Sequence, residues 1–72
     1  MIEVANRVVM VNVPKIKKLA SQKNMTLKQL ESVAGIANGI IAKWIYRDAQ
    51  IDKVYRVADV LSTSIDELIE KV

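Results

Sequence analysis

A single glycine, Gly35, separates two segments with helical periodicity, and this spacing constrains the fold more than any other feature of the sequence. The first segment opens on a capping box at residues 26–29, where the Thr26 hydroxyl accepts a hydrogen bond from a first-turn backbone N–H and the Gln29 side chain reaches back to the N-cap residue. It ends at Gly35, because glycine readily adopts the left-handed conformation that closes a helix. A second apolar-periodic segment, residues 37–46, follows almost at once. Two helices joined by so short a turn cannot lie antiparallel and must cross steeply.

Three further helices are predicted around this crossing. Pro14 has the φ angle of a first helical turn and begins a helix over residues 14–23. An apolar stripe marks a helix over residues 51–61, and a second capping box, from Ser64 to Glu67, begins a fifth helix. The predicted core positions are Ile16, Leu19, Ala20, Leu30, Ala34, Ile41, Trp44, Ile45, Ile51, Val54, Val57, Ala58, Leu61, Ile65, Leu68, Ile69 and Val72, with Leu27 or Val33 as a further candidate in the second helix. The expected fold class is all-α, a compact five-helix domain with a short β-strand before it.

The N-terminal strand covers residues 2–13, which are rich in valine and lack a 3.6-residue period. No second strand is predicted, so its backbone groups and valines would lack a partner within the chain. We therefore divide the chain into a strand or arm, residues 1–13, and a helical domain, residues 14–72. Pairing with the same strand of a second copy would produce a homodimer, and a disordered arm is the alternative. The residues expected to mediate dimerisation are Val9, Val11 and Val13.

The composition excludes several classes of function. The 72 residues contain no cysteine and no histidine, which removes disulfides, thiol nucleophiles, imidazole bases and the usual zinc ligands. We expect no enzymatic activity, no cofactor, no metal and no small-molecule ligand. The longest apolar run, residues 8–11, is far below the roughly 20 residues that a membrane-spanning helix needs. Since no charged-then-apolar leader is visible either, we expect a cytoplasmic protein that does not bind membranes.

The net charge of +3 is unevenly distributed. Residues 1–28 carry six basic residues and one acidic residue, whereas residues 29–72 carry five basic and seven acidic residues. A basic end favours binding to a polyanion, for which nucleic acid and an anionic membrane surface are the usual candidates. The alternative is a solvated, lysine-rich helix face without a partner.

Residues 25–31, together with the string Gly-Ile-Ala-Asn-Gly-Ile-Ile-Ala-Lys-Trp at residues 35–44, resemble the helix-turn-helix (HTH) of the phage repressor and Cro-like (XRE-type) transcription regulators. Residues 57–69 resemble the closing helices of that family, so that the similarity extends over residues 14–70. The resemblance implies sequence-specific binding to double-stranded DNA, with residues 37–46 as the recognition helix in the major groove. It also implies a homodimer on a two-fold operator, in the bacterial nucleoid or encoded by a phage.

Four positions depart from the family pattern. The family commonly has Gln at the position of Leu27, Ser or Thr where Ala37 and Ile40 stand, and Pro where Ala49 stands. Ala37 removes a side-chain cap from the recognition helix, so the alternative role for Asn38 is to cap this helix instead of reading a base. Ile40 can only pack against the DNA, for example against a thymine methyl group.

Helical spacing places three candidate base-contacting residues opposite the inward-facing Ile41 and Trp44. Asparagine pairs with adenine, lysine pairs with guanine, and a glycine lets the backbone approach the groove. These residues are Asn38, Gly39 and Lys43. The candidate contacts to the DNA backbone are Thr26, Lys28, Gln29, Arg47, Lys15 and Lys18. The alternatives are a plain helix cap for Thr26 and a solvated side chain for Lys43.

Two function classes remain after this reading. The first is a DNA-binding transcriptional regulator, specifically a repressor of the phage or mobile-element type. The second is a helical protein–protein adaptor that uses the same fold without DNA, which the apolar Ile40 and the apolar strand favour. We also expect Ala20 and Ile45 to pack against each other, because the family often has an ion pair between these two positions and both residues here are apolar.

Overall fold

Five helices and a two-stranded antiparallel ribbon form the part of the chain that the structure, a computed structural model, describes, residues 8–69. In chain order the elements are β1 (Val8–Val9), α1 (Val13–Gln22), α2 (Leu27–Ala34), α3 (Ile40–Lys43), β2 (Ala49–Gln50), α4 (Ile51–Val60) and α5 (Ile65–Leu68). The predicted fold class, five helices with a short strand before them, is confirmed. The remainder of the predicted strand, residues 2–7, and the predicted core residue Val72 lie outside the described residues.

The first two helices begin and end where their capping residues predict. The side chain of Asn12 accepts a hydrogen bond of 3.2 Å from the Lys15 backbone N–H and begins α1, with Pro14 in its first turn. In α2 the predicted capping box is present: the Gln29 N–H donates to the Thr26 hydroxyl at 3.1 Å, and the Thr26 N–H donates to the Gln29 side chain at 2.9 Å. Gly35 closes α2 with a φ of +74°.

The helix α3 is shorter than predicted, with four residues in place of residues 37–46. Gly39 has a φ of +87°, and this left-handed conformation prevents the helix from beginning earlier. After Lys43 the backbone continues in tighter turns, in which Trp44 N donates to Ile41 O at 3.0 Å and Tyr46 N donates to Lys43 O at 3.2 Å. The segment therefore keeps its helical direction, but only one turn of it is a regular α-helix.

The prediction that the N-terminal strand has no partner within its own chain is wrong. In β1, Val8 pairs with Gln50 and Val9 pairs with Ala49 of β2, which lies between the predicted helices over residues 37–46 and 51–61. Beyond β1, Val11 forms an antiparallel bridge with Ile69, at the end of α5. A two-residue strand such as β2 has no periodicity that a sequence pattern can detect.

The valines that were expected to mediate dimerisation instead pack within the chain. Val11 and Val13 are 4% and 1% exposed and belong to the hydrophobic core. Val9 is half-buried and packs against this core. Val13 is not in the strand, because it is the first residue of α1. In residues 8–13 the unpaired strand from which dimerisation was argued is therefore not present, since β1 has a partner within the chain and Val11 and Val13 are buried. Contact between copies through these valines stays a prediction.

Most of the predicted core positions are confirmed. The buried apolar residues are Val11, Val13, Ile16, Ala20, Leu30, Ala34, Ile41, Trp44, Ala49, Ile51, Val54, Val57, Ala58, Leu61 and Leu68. In and just after α4, every predicted position is buried, because one stripe of the helix faces α2 and α5. Three predicted positions, Leu19, Ile65 and Ile69, are half-buried.

The prediction that Ile45 packs into the core against Ala20 is wrong. Ala20 is buried, but Ile45 is 62% exposed. It lies after the last residue of α3, where the tighter turns carry its side chain away from the interior and onto a shallow cleft beside residues 11–14. The chain therefore has an exposed isoleucine next to the start of α1.

The predicted capping box at Ser64 does not form. Ser64 is the N-cap residue of α5, but its side chain makes no capping hydrogen bond, and the Glu67 N–H donates to the Ser64 backbone oxygen at 3.1 Å. The helix has only one regular turn, because Ile69 is extended and pairs with Val11.

Among residues 8–69, no helix has both the length and the apolar character needed to cross a bilayer.

We predict that replacing Val13 by Ala lowers the free energy of unfolding by about 2 kcal/mol, because two buried methyl groups are removed and the space is not refilled. The matched control is Val8→Ala, at a position that is 55% exposed, where a change below about 0.5 kcal/mol is expected. Urea unfolding followed by circular dichroism measures both values. Equal, small effects would mean that the Val13 side chain at the start of α1 does not belong to the core.

Candidate nucleic-acid interface

Two backbone hydrogen bonds and one side-chain contact at the end of α2 set the direction of the chain toward α3. At the end of α2, the Ile36 N–H donates to the Glu31 backbone oxygen at 3.0 Å, and the Gly35 N–H donates to the Ser32 oxygen at 3.3 Å. From α4, a guanidinium nitrogen of Arg56 approaches the Gly35 oxygen at 3.5 Å. These contacts satisfy the last carbonyl groups of α2 and fix the direction in which the chain leaves the helix.

Two apolar side chains anchor the following segment. Ile41 is fully buried and Trp44 is 3% exposed, as the helical spacing predicted. Trp44 is therefore a core residue and not a stacking platform on the surface. With this face turned inward, the opposite face is exposed to solvent, and we call residues 38–43 the recognition segment.

All three predicted base-contacting residues lie on the exposed side of the recognition segment. Asn38, Gly39 and Lys43 are each exposed, as is Ala42 between them. Around Gly39 the surface is open, since a Cβ atom built there would meet no atom within 4 Å. Ile40 is half-buried and packs against the core, so it only partly faces solvent. Contact of these residues with bases stays a prediction.

The predicted contacts to the DNA backbone divide into two groups. Lys28, in the first turn of α2, lines a cleft of about 300 Å³ together with Asn38, Ser32, Ile36 and Glu31, so the structure brings a predicted backbone contact beside a predicted base contact. Thr26 and Gln29 are exposed at the same end of α2, and their side chains form the capping box.

The second group, Lys15, Lys18 and Arg47, does not line this cleft. The Lys15 ammonium is 3.6 Å from a carboxylate oxygen of Glu67, which places Lys15 beside α5. The Lys15 side chain is half-buried and that of Glu67 is exposed, so solvent screens this ion pair and it contributes little to stability. Lys18 and Arg47 are also exposed.

The residue that the sequence reading missed is Glu31. It is only 3% exposed, and its two carboxylate oxygens accept hydrogen bonds from the backbone N–H groups of Gly39, at 2.9 Å, and Ile41, at 3.0 Å. In the sequence, Glu31 is a charged residue directly after the predicted core residue Leu30, but this position alone does not reveal which backbone groups its carboxylate binds.

Glu31 also excludes one of the two predicted roles of Asn38, the capping of α3. The N-cap residue of α3 is Gly39, and the first N–H groups are bonded to Glu31 rather than to a side chain of the turn. Within residues 8–69, no hydrogen bond occupies the Asn38 side chain. Asn38 is therefore not the cap of α3, and its amide is free to contact another molecule.

Comparison with known proteins agrees with this geometry. Residues 15–72 match the Cro/C1-type HTH DNA-binding domain, which covers α2 to α5 and most of α1. No curated protein and no solved structure gives a significant match to the chain. The matched family is one of DNA-binding regulators and not of enzymes, and the resemblance to XRE-type regulators is confirmed. Because the match includes most of its 72 residues, the chain belongs to the Cro/C1-type HTH DNA-binding domain family.

Proposed function

We propose that the protein is a sequence-specific transcriptional repressor of the phage or mobile-element type, which inserts the recognition segment into the major groove of double-stranded DNA. The observation that carries the proposal is the exposed polar face of Asn38, Gly39 and Lys43, held by the buried Ile41 and Trp44 in a domain of a DNA-binding family. Binding of such a segment at an operator would block other proteins from the same DNA.

The side chains of the recognition segment are suited to direct readout. The Asn38 amide can donate to and accept from an adenine edge, and the Lys43 ammonium can donate to a guanine. Gly39 has open space around it, so the backbone can approach the floor of the groove. The exposed part of Ile40 would add an apolar contact to a thymine methyl group.

Contacts to phosphates would fix the register of the protein on the duplex. Lys28 is exposed beside the Asn38 cleft, and α2 begins at the same end, where its free N–H groups and dipole favour a phosphate. Lys15, Lys18 and Arg47 add positive charge at other points of the surface. These contacts carry no sequence information, so they supply affinity for any duplex.

We further propose that two copies bind a two-fold operator as a homodimer, because one short recognition segment reaches few base pairs. The surface proposed for the contact between copies differs from the one that the sequence suggested. Side chains alternate along the ribbon, so that Val9 faces the core whereas Val8 and Met10 are each 55% exposed. This outer face of the ribbon offers the apolar surface for a contact between copies.

A second candidate function is that of a helical protein–protein adaptor. The exposure of Ile45, at 62%, and of Tyr46, at 73%, favours it, because adjacent exposed apolar side chains are typical of a protein contact. The salt dependence of binding separates the two functions, since a phosphate-binding surface is screened by salt and an apolar one is not.

Selection from a pool of random duplexes, followed by sequencing of the bound fraction, tests the repressor proposal directly. We expect one enriched sequence, for which Asn38→Ala and Lys43→Ala each lose about 1–3 kcal/mol of discrimination at one base pair while the thermal unfolding midpoint stays unchanged. Lys17→Ala, at an exposed lysine of α1, is the control for loss of charge. The absence of any enriched sequence would contradict the proposal.

Lys28→Ala is expected to weaken binding to all duplexes alike. Because one phosphate contact is lost, the slope of log Kd against log salt should fall by about 1. Titrations of the selected and of a scrambled duplex at several salt concentrations measure it. A binding affinity that barely responds to salt, in the unmodified protein, would favour the adaptor function.

The homodimer is tested by analytical ultracentrifugation of the full chain, with and without a duplex that carries the selected sequence as a two-fold repeat. We expect a dimer that Met10→Glu converts to a monomer, because a charge would be buried without a partner. Val33→Glu, at a residue of α2 that is 64% exposed, is the matched control and should leave the dimer intact. A monomer under all conditions, including on the repeat, would rule out the homodimer.

A further inference from the structure

Glu31 is the one charged residue that is buried in residues 8–69. A carboxylate removed from water costs several kcal/mol unless hydrogen bonds or an opposite charge compensate it. Residues 8–69 form one ion pair, which joins Lys15 to Glu67. In this part of the chain, therefore, no cation is paired with Glu31. The compensation comes from the backbone N–H groups of Gly39 and Ile41, each bonded to a different carboxylate oxygen.

The start of α3 needs an acceptor from elsewhere in the fold. The first N–H groups of any helix have no partner within the helix, and a polar side chain at the N-cap normally accepts from one of them. Here the N-cap residue is Gly39, which has no side chain, and Ala37 before it has no polar atom. A helix of four residues is also far too short to be stable alone.

We infer that Glu31 is a positioning residue for sequence readout, whose carboxylate holds the backbone of the recognition segment in the conformation that presents Asn38 and Lys43 together. The inference rests on the proposed function and deepens it. The two hydrogen bonds hold the peptide unit between Asn38 and Gly39 and the one between Ile40 and Ile41. They thereby fix the backbone from which the Asn38 side chain projects and the start of the helix that carries Lys43. Glu31 itself lies beneath the surface and touches no base.

This role predicts an effect on specificity that is separate from affinity. Contacts such as those of Lys28 come from α2, which has its own capping box and does not depend on the carboxylate of Glu31. Base contacts require donor and acceptor atoms within a few tenths of an ångström of their positions, whereas phosphate contacts tolerate displacement. Loosening the recognition segment should therefore reduce binding to the selected duplex and leave binding to random duplex unchanged.

Three variants that change the net charge equally test the inference. Glu31→Met keeps a similar volume and removes both acceptors, Glu31→Gln keeps one acceptor oxygen, and Asp59→Asn alters an exposed carboxylate of α4 as the control. Affinities for the selected and for a random duplex are measured at a temperature where circular dichroism shows each variant to be folded. Amide hydrogen exchange of the free, unmodified protein and of each variant is measured in parallel.

We expect Glu31→Met to lower the ratio of specific to random affinity by about tenfold or more, the equivalent of one lost base contact. Glu31→Gln should lie between Glu31→Met and the unmodified protein, and Asp59→Asn should match the unmodified protein. In the unmodified protein the Gly39 and Ile41 amides should be protected from exchange, and Glu31→Gln should lose protection at one of them.

Several results would overturn the inference. One is a folded Glu31→Met variant, or a folded Glu31→Gln variant if the former does not fold, that keeps the full ratio of specific to random affinity. Another is rapid exchange of the Gly39 and Ile41 amides in the unmodified protein, a measurement that depends neither on a variant nor on DNA. An unmodified protein that prefers no duplex would instead contradict the proposed function, while protected amides would still show the hydrogen bonds.

Discussion

The recognition segment keeps its place because a buried carboxylate on α2 binds the backbone at the start of α3. Glu31 supplies two hydrogen bonds to a helix of only four residues, and Ile41 and Trp44 hold the same segment on the core. Neither anchor suffices alone, because apolar packing is non-directional and a one-turn helix is unstable without tertiary contacts. Together they fix both the depth and the rotation of the segment, and thereby the direction in which Asn38 and Lys43 face.

Residues 8–13 belong to the packed domain and are not an arm that extends from it. A chain of 72 residues has a small core, and any segment that adds buried apolar surface contributes a large share of the stability. Val11 and Val13 supply such surface, and the Asn12 N–H donates to the Leu68 oxygen at 2.8 Å. The start of α1 is therefore held against the end of α5, and β1 pairs with β2, which leads directly into α4.

The features that the sequence predicted correctly depend on residues that are close together in the chain. The bounds of α1, α2 and α4 follow from caps and apolar stripes within each segment, and the inward face of Ile41 and Trp44 follows from helical spacing. What it missed depends on contacts between distant segments. The pairing of β1 with β2 joins residues about 40 positions apart, and the bonds from Gly39 and Ile41 to Glu31 join one helix to the next. No local pattern encodes either. Ile45 looked like a core residue because a regular helix was extended through it, whereas the backbone tightens after Lys43.

These long-range bonds change how the departures from the family pattern are understood. Ala37, considered by itself, is a lost cap, and the loss would require Asn38 to cap α3 at the expense of reading a base. With Glu31 as the acceptor, the N–H groups are already satisfied, so the amide of Asn38 remains unused. The Glu31 carboxylate on α2 takes the place of the capping side chain that the turn lacks. Because Glu31 is buried, it does not compete with a ligand for the recognition segment. An alanine that suggests weak specificity in the sequence is thus compatible with a well-ordered recognition surface in the fold.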